Sequence, residues 1–336
     1  MRLNTTISFY SLILLLGFCG CRQNQPLPAD LETSYYYWQP RLNLTRQDDV
    51  FFQKQKVHRL YIRFFDLDWD KKTKKLYSRA ELSNGSLAGL QAEIIPVVFI
   101  TPQALAHLQK PKQASPFILR RCEAIARGLD RYPFPEIQLD CDWTPVSREA
   151  YFNLLTQFKK DISQIHPSPL LSATIRLHQV KYRTVTGIPP VDRGILMVYH
   201  TSAAQELTDK NTLLDEKDAR SYLTYLKSYP LPLDVALPLF HWGVQFNSVQ
   251  RFIRLFHVEP NDPAIPAGFN HLSGFLYQAK ADVYLCGIRF MKDDYLKVEE
   301  SDPLVARRLE SWILQQHPNP SQRVIWFDYS CIRGKI

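Results

Sequence analysis

Several familiar signatures are missing from this 336-residue chain. No Gly-rich phosphate loop follows the early strand patterns, which weighs against an open nucleotide-binding sheet. No arginine-rich arm, zinc-finger spacing or RNP-like aromatic motif accompanies the formal net charge of +8, so no nucleic-acid partner is expected. The one dense basic run, Lys71-Lys-Thr-Lys-Lys75, reads as a solvated loop. Cysteines are few, and Cys122, Cys141, Cys286 and Cys331 lack the paired spacing of a disulfide framework or a zinc site. They are expected as buried free thiols, and no metal or cofactor is expected. Repeats and low-complexity segments are absent too. What is present, 45% hydrophobic and 22% charged residues, suits a globular body that can bury a sizeable core.

The N-terminus reads as a targeting segment. Arg2 precedes an apolar run from Ile7 to Phe18 that is short for a bilayer span and shaped like a signal-peptide core. The run ends in Leu15-Leu-Gly-Phe-Cys-Gly-Cys21, where a small residue directly before a cysteine resembles a bacterial lipobox. An ordinary cleaved signal peptide is the alternative. Residues 1–21 are therefore expected as a lipoprotein leader, Cys21 as the lipidation site, and 22–32 as a polar tether. Acylation would anchor the chain to a membrane without a transmembrane helix. Arg22 follows the cysteine rather than an inner-membrane retention aspartate, so the expected location is the cell envelope at the outer membrane.

Residues 33–336 alternate strand and helix patterns. Strands are expected at Ser34-Tyr-Tyr-Tyr-Trp-Gln39, Val57 to Phe65, Glu93 to Thr101, Pro135 to Pro145, Leu170 to Arg176, Gly194 to His200, Leu233 to Phe240 and Arg323 to Ser330. Between them, Ser115-Pro116 reads as a helix start, Ser147 as a cap, and Asp302-Pro303 as the start of a helix with Leu304, Leu309, Trp312 and Ile313 inward. Residues 244–302 break the alternation as an insertion with a hairpin near Tyr284 to Glu299. Eight β/α units argue for an α/β fold, a closed (β/α)8 TIM barrel, with an open doubly wound sheet as the alternative.

The motifs in order resemble the family-18 chitinase-like glycoside hydrolases. That family carries Asp-x-x-Asp-x-Asp-x-Glu on its fourth strand, and the matching text here is Gln138-Leu-Asp140-Cys-Asp142-Trp143-Thr144. Met197-Val-Tyr199-His200 resembles the sixth-strand Met-x-Tyr-Asp. Leu237-Pro-Leu-Phe-His-Trp-Gly243 resembles the seventh-strand Gly-x-Pro-Phe-Tyr-Gly, and Ile325-Trp326-Phe-Asp328 the last strand. A group of bacterial barrel lipoproteins within this wider clan is the nearest resemblance. It implies a barrel and a polysaccharide or glycan ligand at the strand C-termini. It does not imply ordinary chitinase chemistry, because the catalytic glutamate falls at Thr144 and the sixth-strand aspartate at His200.

The candidate site follows. Asp140 and Asp142, two apart on one strand, point to one face and are candidate catalytic groups with Tyr199 and His200. Crowded carboxylates can keep a proton near neutral pH, which would supply an acid without a glutamate. Candidate ligand contacts are Asp66, Asp68, Trp143, Arg176, His178, Trp242, Trp326 and Asp328, with Tyr37 as a further stacking surface. Each has a structural alternative: aromatics pack in cores, and inward aspartates pair with a neighbour such as Arg176 or Arg63. Asp66-Leu-Asp-Trp-Asp70 lacks the glycine and glutamate of a calcium loop and reads as a turn into a hairpin. Three readings remain open: a glycoside hydrolase with an altered acid, a non-catalytic glycan-binding lipoprotein, and a structural envelope lipoprotein.

Overall fold

The computed structural model describes residues 32–333, apart from 84, 86, 88, 109 and 317–319. The expected leader and Cys21 lie outside the described residues. Among the described residues no helix is long and apolar enough to cross a membrane.

The chain opens with β1 (Glu32–Tyr37), whose first residue was expected in the tether, and α1 (Arg46–Lys54). Thr45 and Asp48 form a reciprocal capping box that satisfies the first free backbone N–H groups of α1. β2 (Val57–Asp70) outruns its expected end and turns back as β3 (Lys75–Arg79). Asp70 makes the turn by accepting from Lys72 N at 2.8 Å and Thr73 Oγ1 at 2.7 Å. The basic run is thus the exposed tip of the hairpin that the aspartate cluster suggested.

β4 (Glu93–Ile100), α2 (Pro102–Ala106), α3 (Pro111–Gly128), β5 (Glu136–Cys141) and α4 (Arg148–Ile162) follow. The helix expected to start at Ser115 begins at Pro111, where a missing N–H costs nothing. Ser115 is instead buried and donates sideways to Asp161 on α4. Next come β6 (Leu170–Arg176), α5 (Leu177–Lys181), α6 (Arg183–Thr186), β7 (Arg193–Met197), α7 (Glu216–Leu223) and β8 (Leu233–Pro238).

The insertion contains β9 (His241–Phe246), β10 (Phe252–Phe256), α8 (Ala264–Gly268), β11 (Phe269–Ser273), β12 (Leu276–Ala279), the β13 (Val283–Leu285) and β14 (Ile288–Phe290) hairpin, and β15 (Tyr295–Glu300). α9 (Pro303–Gln316) and β16 (Pro320–Phe327) complete the chain. Leu304 on α9 is 70% exposed, so it faces solvent rather than the core as expected.

Eight strands pair in parallel in the order β1, β2, β4, β5, β6, β7, β8, β16, and β16 pairs back to β1. The sheet is therefore closed, a (β/α)8 barrel with no open edge. The near-continuous apolar runs of its strands follow from burial on both faces. Outward residues such as Leu139, Ile175 and Trp326 join the helices in one large core, while Tyr36, Tyr61, Val97, Ile195 and Ile325 fill the barrel.

The floor at the strand N-termini is ionic. Arg323 pairs with Glu136 at 2.8 Å, and Arg193 with Asp234 at 2.6 Å. Above β8 the inserted strands form a five-stranded antiparallel sheet in the order β10, β9, β15, β12, β11. Gly243 lets Phe256 lie across β9, since a Cβ there would stand 2.4 Å from its ring. That sheet has its own small core of Val258, Phe269, Phe290, Leu296 and Val298.

Of the four cysteines among the described residues, Cys122 and Cys141 are buried free thiols as expected, whereas Cys331 is only part-buried in the last turn. Cys286, also expected buried, is exposed because it lies in the tight turn between β13 and β14, where its φ is 50°.

Candidate functional site

β5 sends alternate side chains into the barrel, and its last inward residue is Asp140. Asp140 is 3% exposed and accepts from Thr174 Oγ1 at 2.6 Å. Burial raises its pKa to about 6; Arg176 opposes the shift and Asp142 reinforces it. Asp142, one step beyond the strand, is half-exposed and takes an ion pair from Arg176 Nε. Arg176 ends β6, so two neighbouring strand ends bring the expected carboxylate pair and an arginine together.

The next two residues leave that arrangement. Trp143, expected against a ligand, adjoins the mouth cavity but offers it almost no surface: it is 1% exposed, stacks on Tyr151 at 5.3 Å, and donates its indole N–H to Thr186 O at 2.9 Å. Its large apolar area is better satisfied between the barrel and α4 than in water. Thr144 shapes the entry to α4, its backbone N–H donating to Ser147 Oγ at 2.9 Å.

Beyond β7, Tyr199 is buried, and its hydroxyl has no hydrogen-bond partner among the described residues. Burial pushes its pKa well up, so it stays a neutral phenol. His200 takes positive φ (55°), a backbone turn that swings its ring across the barrel mouth. The ring stacks on Trp242 with centroids 5.0 Å apart and planes at 9°. Desolvation, followed by Arg176, lowers its pKa to about 4, although one edge stays open to solvent. At neutral pH His200 is an uncharged aromatic surface. A cavity of about 530 Å³ opens here, bordered by Asp142, Thr144, Arg176, His178, Tyr199 and His200.

The remaining expected residues divide. Asp66 is held by Arg63 (Nε 2.7 Å), and Asp68 by Arg79 (2.9 Å) and Thr101 Oγ1 (2.8 Å). Asp328 is buried and accepts from Ser330 N at 3.0 Å, capping the last turn. His178 borders the cavity, its pKa lowered by desolvation and then by Arg176. Trp326 and Tyr37 point outward, against the expectation of stacking surfaces. Trp326 is 3% exposed under the Arg307 guanidinium, and Tyr37 is buried with its hydroxyl donating to Arg41 O at 2.8 Å.

Of the expected aromatic residues Trp242 does reach the rim, and three others complete it. Trp38, Phe240, Trp242 and Phe327 are each part-exposed and pack on Tyr36 and Tyr199 inside the barrel. Trp38 sits 5.5 Å from Phe327, and Arg63 lies over its face at 5.5 Å. Phe240 meets Trp242 at 5.5 Å. Trp242 is fixed from behind: its indole N–H donates to Glu299 Oε2 at 2.7 Å. Glu299 also accepts from Thr212 Oγ1 at 2.9 Å and pairs with Lys297 at 2.8 Å. Strand register places Trp38 and Phe327 inward and their aromatic neighbours Tyr37 and Trp326 outward. The unbroken aromatic runs at both strands conceal that register in the sequence.

No protein-family model and no curated protein matches the chain. Solved structures do. The chain is similar to the Bacillus cereus spore cortex-lytic enzyme SleL, at 13% identity and TM-score 0.53, over 90% of this chain and 71% of that one. It is similar to a mutant class V chitinase from Nicotiana tobaccum in complex with NAG4, at 10% identity and TM-score 0.52, over 88% and 93%. The GH18 chitinase ChiB of Flavobacterium johnsoniae matches at 11% identity and TM-score 0.51, over 89% and 88%. The chain has the chitinase-like (β/α)8 barrel fold of these proteins.

Proposed function

We propose that the chain binds a polysaccharide or glycan at the C-terminal mouth of its barrel and does not cleave it. The observation that supports this reading is the part-exposed rim of Trp38, Phe240 and Trp242 beside a cavity that Asp142, Arg176 and His178 border. Flat aromatic faces take the apolar face of a sugar ring, while Asp142, Arg176 and His178 offer hydrogen bonds to its hydroxyls. Hydrolysis needs two carboxyl groups flanking the bond, or an acid working with a substrate-orienting carboxylate. Asp66, Asp68 and Asp142 are each committed to an arginine, and Thr144 stands at the family's acid position. One observation favours a hydrolytic reading: Asp140 holds a proton to about pH 6. It is buried, and its neighbouring carboxylate Asp142 is already held by Arg176. We further propose that Cys21 carries a lipid anchor holding this mouth at the cell envelope, on the strength of the Gly20-Cys21 junction after the apolar run.

The test is binding of the full chain in detergent to an array of envelope and host polysaccharides that includes NAG4. Trp242→Ala and Trp38→Ala are each expected to weaken the best ligand at least about tenfold, the scale of a stacking anchor. An array with no ligand, or affinity unchanged in both variants, would remove the glycan reading.

A further inference from the structure

A second cluster lies on the inserted sheet, on the strand that carries Trp242. His241 at the start of β9, and His257 and Glu259 just past β10, converge on one point. His241 Nε2 lies 3.2 Å from Glu259 Oε1, and His257 Nε2 lies 3.5 Å from the same oxygen. The two imidazole rings are 5.1 Å apart, and one donor atom from each of the three residues falls within 4.8 Å of the others.

We propose that His241, His257 and Glu259 bind a divalent transition metal, zinc being the natural occupant. Tetrahedral zinc with ligands at about 2.0–2.1 Å places neighbouring donors roughly 3.3–3.4 Å apart. Both measured histidine-to-carboxylate separations stand within two tenths of an ångström of that range. Two imidazoles and one carboxylate suit zinc, whereas calcium and magnesium prefer all-oxygen sites. The set leaves a fourth position for water. His241 is 8% exposed at its side chain while His257 and Glu259 are open, so the metal has a buried foot and a solvent path.

The site's place suggests its purpose. Side chains alternate along β9, so His241 leaves the face opposite Trp242. A metal there would clip the segment after β10 to the first residue of β9, one peptide from the rim. Its role is to fasten the segment after β10 to β9 within the inserted sheet, independent of whether the rim binds a glycan.

The test uses the full chain stripped with a chelator and titrated with Zn²⁺ and with Co²⁺. One equivalent of each is expected, with Co²⁺ giving the visible absorption of a four-coordinate site. His257→Ala and Glu259→Gln, both at exposed positions, are each expected to weaken uptake at least about tenfold, and the double variant to abolish it. Wild-type chain that takes up no stoichiometric metal would overturn the proposal. So would uptake of equal affinity in the double variant, which would assign the metal to other residues.

Discussion

Replacing Glu299 by leucine is expected to destabilise the protein by about 3–5 kcal/mol, the usual cost of breaking a fully buried ion pair from one side. Glu299 and Lys297 are both 0% exposed. The carboxylate also accepts from Thr212 and Trp242, so its loss strands an ammonium group, a backbone N–H and an indole N–H in a site closed to water. Urea unfolding measures the change directly. A Lys297→Met, Glu299→Leu double variant should recover much of it, since no unpaired charge then remains. A single variant within half a kcal/mol of wild type would show that the pair does not organise this junction. The same substitution frees the Trp242 indole, so weaker ligand binding should accompany the lost stability.

Asp140→Asn is expected to leave stability nearly unchanged at pH 4 and to raise it at pH 8. The folded state holds the Asp140 proton to about pH 6, whereas an unfolded aspartate releases it near the usual value of 3.8. The folded form therefore binds more protons between these values. Whatever this group contributes is intact below the unfolded pKa and is lost as pH rises through the folded one. A gap of about two units corresponds to roughly 2–3 kcal/mol. Asparagine carries no such charge and can still accept from Thr174 Oγ1. Urea midpoints for both proteins from pH 4 to pH 8 should nearly coincide at pH 4, diverge between pH 4 and pH 6, and keep a constant gap above that. Parallel curves would mean that Asp140 ionises as easily folded as unfolded.

The barrel was largely legible because strand and helix periods alternate cleanly, and each of the eight expected strands has a counterpart in the closed sheet. The β5 carboxylates were legible for the same reason, since a period of two fixes Asp140 on the inner face. One named partner holds, since Arg176 does take Asp142, whereas Arg63 takes Asp66 on its own strand β2. The aromatic surface was less accessible. Ser34-Tyr-Tyr-Tyr-Trp-Gln39 and Ile325-Trp326-Phe327 are aromatic or apolar at nearly every position, so no alternation marks which ring faces the ligand. Pairing register decides it, and register depends on neighbouring strands far away in sequence. His241, His257 and Glu259 come together only through the β9–β10 pairing, which no metal-ligand spacing announces. Glu299 was hidden likewise, because its partners Thr212 and Trp242 lie 87 and 57 residues away.

The most direct test of a binding rather than cleaving mouth is product analysis on the best ligand of the polysaccharide array. Wild-type chain should bind it saturably and leave its length distribution unchanged over long incubation, between pH 4 and pH 8. Shortened products that vanish with Asp140→Asn would contradict this and make Asp140 the acid of a hydrolase.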